Sequence, residues 1–163
     1  MNDTEYLDVV NENDAVIGTR LKSEIYEQAL RHRIVHILLF DENGRMALQK
    51  RSSTVSFCPL HWSTAVGGHV QSSETYEQAA GRELKEELGI DIPFDFFQKD
   101  FYSADGKMEK FLVTYKATYS GSFKFEDSVS EVAYFEIDTI RRMVDNDEKF
   151  HPELLFILQK YFF

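Results

Sequence analysis

The chain has 163 residues, a length that suits one domain with one sizeable core and leaves little room for a second. Hydrophobic residues make up 43%, with 14 Phe and 8 Tyr, so a globular fold is expected and a disordered chain is not. The net charge of −10 argues against a nucleic-acid groove, which needs clustered Lys and Arg, yet it admits a small phosphorylated substrate wherever a divalent cation reverses the local field.

Cys58 is the single cysteine, so an internal disulfide and a four-cysteine zinc site are both excluded. The acidic opening Met1-Asn2-Asp3-Thr4-Glu5 lacks the apolar core of a signal peptide, and no apolar run approaches the ~20 residues that span a bilayer. A cytoplasmic protein is expected.

In chain order, residues 5–10 alternate enough for a strand, Asn11 to Asp14 form a turn, and 15–18 make a second short strand. Residues 21–30 suit a short helix, so 1–30 reads as a strand-and-turn extension of a single 1–163 domain. A buried strand follows at 33–40; Asp41-Glu42-Asn43-Gly44 is a hairpin turn and 45–50 its expected partner. Residues 52–61 are irregular, and 62–66 form a strand running into Gly67-Gly68. The clearest helix is 75–88, with Ala79, Ala80, Leu84 and Leu88 as its apolar stripe and Gly89 as its stop. Strands are expected at 97–103 and 111–119 around an Asp105-Gly106 turn, and at 132–137; helices follow at 138–144 and 152–162. This order fits an α/β (α+β) fold, a mixed β-sheet between helices.

The chemistry concentrates between Gly68 and Ile90, GHVQSSETYEQAAGRELKEELGI. Glu83, Glu86 and Glu87 are spaced i, i+3 and i+4, so their carboxylates share one helix face. Such crowding is unfavourable unless a cation binds between them. Oxygen-only ligands with no nearby His or Cys favour a hard ion such as Mg²⁺ or Mn²⁺. Gly67-Gly68 permits a sharp turn that brings a backbone carbonyl toward the same ion. Arg82 can orient a carboxylate or meet a phosphate oxygen, and Glu74 stands where a carboxylate caps free helix amides. Three glutamates alone describe many ordinary surface helices.

The full pattern resembles the Nudix box: Gly, five residues, Glu, seven residues, then Arg-Glu-apolar-x-Glu-Glu-x-Gly-apolar. Gly68, Glu74, Arg82, Glu83, Leu84, Glu86, Glu87, Gly89 and Ile90 fill it without departure. With average residue usage a chance match in such a chain is on the order of one in ten million. The resemblance implies a Nudix fold and a metal-dependent hydrolase that cleaves the diphosphate linkage of a nucleoside-diphosphate-type or related small substrate. It implies Glu83 and Glu87 as main ligands of Mg²⁺ or Mn²⁺, Glu86 as a further ligand or the base, and the Gly67 carbonyl as another ligand. Glu83, Glu86 and Arg82 become the catalytic group.

A glutamate outside the box often assists in this family, and Glu131 and Glu109 are the candidates here. Lys50 and Arg51 are candidates for substrate phosphate. The flanks are similar to the isopentenyl-diphosphate isomerase branch in Arg31 to His36, Leu48 to Arg51 and Trp62 to His69. Gly67, however, stands where that enzyme carries its essential Cys, and the box here is complete, so hydrolysis is favoured. An isomerase-like enzyme and a non-catalytic nucleotide-sensing module are the alternatives. His36 is read as a satisfied core residue, while Trp62, Phe57 and Tyr102 are read as packing groups before base-stacking ones. No nucleic-acid polymer or membrane partner is expected, and the oligomeric state stays open, with a homodimer among the options.

Overall fold

The computed structural model describes residues 4–163, so Met1, Asn2 and Asp3 of the acidic opening lie outside the described residues. Among the described residues two sheets form. The first is a hairpin of β1 (Tyr6–Val10) and β2 (Val16–Leu21), closed by the turn that the sequence places at Asn11. Helix α1 (Lys22–Glu27) is shorter than the expected 21–30.

The second sheet has seven strands: β3 (His32–Phe40), β4 (Met46–Arg51), β5 (Trp62–Thr64), β6 (Val66–His69), β7 (Asp95–Ala104), β8 (Met108–Thr118) and β9 (Val129–Phe135). It is mixed. β3 runs parallel to β8 and antiparallel to β6, and β7 pairs antiparallel with β8 as the Asp105-Gly106 turn requires. Two expectations need correction. The turn after β3 forms, with the Asp41 carboxylate accepting from the Asn43 and Arg45 amides, but β3 and β4 pair only at Phe40 and Met46. The strands then splay, and β4 satisfies its backbone with β9 and β5. Likewise 62–66 is not one strand: β5 bonds β4 and β6 bonds β3, with the break at Ala65.

Splaying separates two cores. On one face α2 (Tyr76–Leu88) lays Ala79, Ala80, Leu84 and Leu88 against Val35, Ile37, Leu39, Val66 and Val113. On the other, α3 (Ile137–Asp145) and α4 (Pro152–Tyr161) bury Ile140, Leu154, Ile157 and Leu158 against Leu38, Met46, Leu48 and Trp62. The sheet therefore carries helices on both faces, as the sequence order implies. Burying a Leu-sized side chain is worth about 1.5–3 kcal/mol, so the four apolar positions of α2 fix its seat and hence its acidic face.

Candidate active site

Helix α2 starts cleanly because Thr75 accepts from the Gln78 amide at 3.1 Å while Gln78 Oε1 accepts from the Thr75 amide at 3.0 Å. Gly89 ends it in the left-handed region at φ 66. Thr75, rather than Glu74, is thus the cap. Glu74 instead accepts two bonds from Arg82, at 2.7 and 2.9 Å, and one from the Gln71 amide at 2.8 Å. That carboxylate ties the loop after β6 to the middle of α2.

Arg82 is the hub of the acidic face. Besides Glu74 it donates to Glu83 at 2.8 Å, to Glu86 at 3.2 Å and to the His69 carbonyl at 3.0 Å. Its bonds to Glu74 and the neighbouring carboxylates raise its already high pKa, so it is a permanent cation. Glu83 faces inward, with 13% of its side chain exposed against 58% for Glu86. Burial raises the Glu83 pKa to about 7 against the pull of Arg82. Glu87 retains some surface, but dense protein surrounds its carboxyl; burial and the nearby Glu83 push its pKa well up. The Gly67 amide, donating to Glu87 at 3.1 Å, and the Arg51 charge oppose that rise. Two carboxyls with raised proton affinity on one face form a site short of positive charge.

A cavity of about 270 Å³ opens onto this face, lined by Glu83, Glu86, Glu87, Glu126, Ser128 and Val129. Glu126 is the residue that sequence reasoning missed. It lies in the loop before β9, where no helical spacing links it to the box. The two expected outside glutamates sit elsewhere: Glu109 pairs with Arg31 at 3.1 Å, and Glu131 is exposed on β9 opposite Lys50. Lys50 places its ammonium 5.4 Å over the Trp62 ring. Arg51 donates to the Phe57 carbonyl at 2.9 Å and is the cation acting on Glu87.

The donor set suits a hard divalent ion: carboxylate oxygens dominate the cavity, and no His or Cys lines it. Among the described residues, no three His, Cys, Asp or Glu side chains already converge at ligand spacing. Glu83 and Glu86 lean on Arg82, and Glu87 leans on the Gly67 amide. Binding would exchange these partners for the ion. Gly68 is required here, because a Cβ at that position would fall on the Glu83 carboxyl. A Cβ at Gly67 would come within 3.0 Å of His36 Nδ1 and 3.2 Å of Thr64 Oγ1, so the site has no ready room for a thiol there.

Behind β6 lies a second polar cluster. His36 bonds Glu153 at 2.8 Å and Thr64 at 2.7 Å; Lys110 donates to the other Glu153 oxygen at 2.8 Å. All are buried, which bears out the reading of His36 as a satisfied core residue. Burial alone would raise the Glu153 pKa, but the bond and charge of His36, with Lys110 and His151, hold it well below the usual carboxylate range. The Thr64 hydroxyl gives its proton to the Val66 carbonyl at 3.1 Å. Of the aromatic groups, Trp62 is in the core, whereas Phe57 is exposed beside His151.

A mixed sheet between helices, with a glycine turn feeding a glutamate-bearing helix, defines the class of domain. Comparison with known proteins agrees: the chain belongs to the Nudix family, whose NUDIX domain model matches residues 30–155. Over 154 residues it is 34% identical to the uncharacterized Nudix hydrolase YfcD of Escherichia coli K12, covering 93% of this chain and 83% of that one. The uncharacterized Nudix hydrolase all7351 of Nostoc is 44% identical over 93 residues, 56% of this chain; the chain spans about half of that relative's length, 55%. Isopentenyl-diphosphate Delta-isomerase 2 of Photorhabdus laumondii is 30% identical over 147 residues, covering 87% of this chain and 83% of that one. The crystal structure of DR0079 from Deinococcus radiodurans is similar in fold, with a TM-score of 0.85 at 24% identity, covering 98% of this chain and all of that chain (100%).

Proposed function

We propose that the protein is a Mg²⁺- or Mn²⁺-dependent hydrolase that cleaves the diphosphate linkage of a nucleoside-diphosphate-type or related small substrate. The observation that carries this reading is the cavity lined by four glutamates, two of them with raised proton affinity. Glu83 and Glu87, joined by Glu86 and the Gly67 carbonyl, are the residues that would hold the ion. Bound there, it would neutralise diphosphate oxygens and lower the pKa of water.

The protein's own groups do the rest. Water adds to one phosphorus as its bond to the bridging oxygen breaks in line. Glu86, an exposed carboxylate of the box, or Glu126, which also lines the cavity, accepts the proton that the water loses. Arg51 meets the substrate phosphates, and Arg82 holds Glu83 and Glu86 in place until the ion takes over. The isomerase reading is disfavoured by Gly67, which carries no thiol and where a Cβ would press on His36 and Thr64.

The test is phosphate and nucleotide release from a diphosphate panel with Mg²⁺ or Mn²⁺, for wild type and Glu86→Gln. Isopentenyl diphosphate is included and scored for double-bond migration. Metal-dependent cleavage that collapses in the variant supports the reading. Migration without cleavage, or binding without either, overturns it.

A further inference from the structure

β6 is a thin partition. On its α2 side, Glu83 occupies the space next to Gly68, and Glu87 takes the Gly67 amide at 3.1 Å. On its other side, His36 and Thr64 fill the space next to Gly67, at 3.0 and 3.2 Å from where a Cβ would sit. Neither glycine has a side chain to absorb a shift, so a movement of the His36 ring passes to the backbone that holds Glu87. The ring is itself fixed from α4: Glu153 in the helix's first turn accepts from it at 2.8 Å, and Lys110 on β8 fixes Glu153 at 2.8 Å. With His36 on one oxygen and Lys110 on the other, the Glu153 carboxylate is satisfied.

We propose that Glu153 and His36 are positioning residues: bonded in series behind β6, they set the height of Gly67-Gly68 against α2 and so place Glu87 and Glu83 for metal binding. This rests on reading those two glutamates as ligands. Metal sites are demanding in this respect, because ligand distances must hold to within about 0.2 Å. Residues bonded behind a ligand typically change metal affinity 10–100-fold when replaced. A clamp role alone, holding α4 to the sheet, would leave metal affinity untouched.

The test compares Glu153→Gln and Thr64→Val with Asp100→Asn. Asp100 anchors the far end of α4 through Lys160 and Tyr161, at 2.5 and 2.8 Å, and does not touch His36. Three readouts are taken: melting temperature, the Gly67 amide resonance in metal-free protein, and the Mn²⁺ dissociation constant from the paramagnetic signal of free ion. Glu153→Gln and Thr64→Val are expected to move the Gly67 resonance and weaken Mn²⁺ about 10-fold. Asp100→Asn is expected to lower the melting temperature and leave the other two unchanged. If Glu153→Gln does not fold, Thr64→Val, which keeps the side-chain shape, decides. Variants that melt lower but keep the wild-type resonance and Mn²⁺ affinity overturn the inference alone. Wild-type protein that binds no Mn²⁺ overturns the metal-site reading and this inference with it.

Discussion

Two clusters of charge lie back to back across β6, and they are built on opposite rules. Behind the strand, Glu153 sits between His36 and Lys110, so each buried charge has a bonded partner. In front, Glu83, Glu86, Glu87 and Glu126 line one cavity, while Arg82 serves three carboxylates at once and Arg51 acts from the side. The first arrangement is what a fold needs, because an unpaired buried charge costs several kcal/mol. The second leaves negative charge uncompensated and the Glu83 and Glu87 carboxyls reluctant to ionise. A protein tolerates that arrangement where a cation is meant to complete it.

The largest effect that tests this contrast is on activity. If Glu83 and Glu87 hold the ion as proposed, Glu83→Gln and Glu87→Gln should each lower kcat with Mg²⁺ by about 10²–10⁴-fold. Steady-state kinetics on the cleaved substrate checks this, and activity within a few-fold of wild type would break the contrast. Next in size is stability. Glu153→Met should strand the Lys110 charge, leave the His36 ring without its partner and cost about 3–5 kcal/mol, measured by denaturant unfolding. A variant as stable as wild type would show that the rear cluster is not charge-balanced as described.

The pH dependence of stability sharpens the comparison, because the two sides have opposite signs. Glu83 binds its proton up to about pH 7 when folded, against 4.5 for an ordinary glutamate. Its contribution in metal-free protein is therefore present at low pH and is lost as pH rises from 4.5 to about 7. His32, at the head of β3, is buried and His151, before α4, is half-buried; burial lowers their pKa values to about 4 from 6.5. Their contribution is present above 6.5 and is lost as pH falls toward 4. Melting curves of chelator-treated protein across this range should show both limbs, and Glu83→Gln should reduce only the high-pH one, to which Glu87 also contributes. Reduction of both limbs, or of neither, contradicts the assignment. The smallest effect is expected at Glu109, whose pair with Arg31 is half-exposed. Glu109→Gln should change stability by less than about 1 kcal/mol and leave cleavage unchanged.

Legibility from sequence followed the range of the interactions. The box glutamates could be read because helix geometry converts their spacing into a shared face, and Leu84 with Leu88 says which face is buried. Glu126 and Glu153 could not. One reaches the site through a loop, the other through the packing of α4, and neither relation leaves a local pattern. The same limit explains the strands. Asp41 to Gly44 correctly signals a turn, but a turn does not dictate how far β3 and β4 stay paired, and the competing partners β9 and β6 lie far along the chain. The short strand β5 is likewise separated from β6 at Ala65 by its choice of partner, which no alternation records.

The most direct test of the central claim, that the glutamate-lined cavity completes itself with a divalent ion to hydrolyse a diphosphate, is an isotope experiment. Wild type and Glu83→Gln are incubated with Mn²⁺ and a nucleoside-diphosphate panel in ¹⁸O-water, with isopentenyl diphosphate in deuterated water alongside. Wild type should place ¹⁸O in one phosphate product, dependent on Mn²⁺ and lost in Glu83→Gln, with no deuterium entering isopentenyl diphosphate. Deuterium incorporation with no ¹⁸O in any phosphate would contradict that claim.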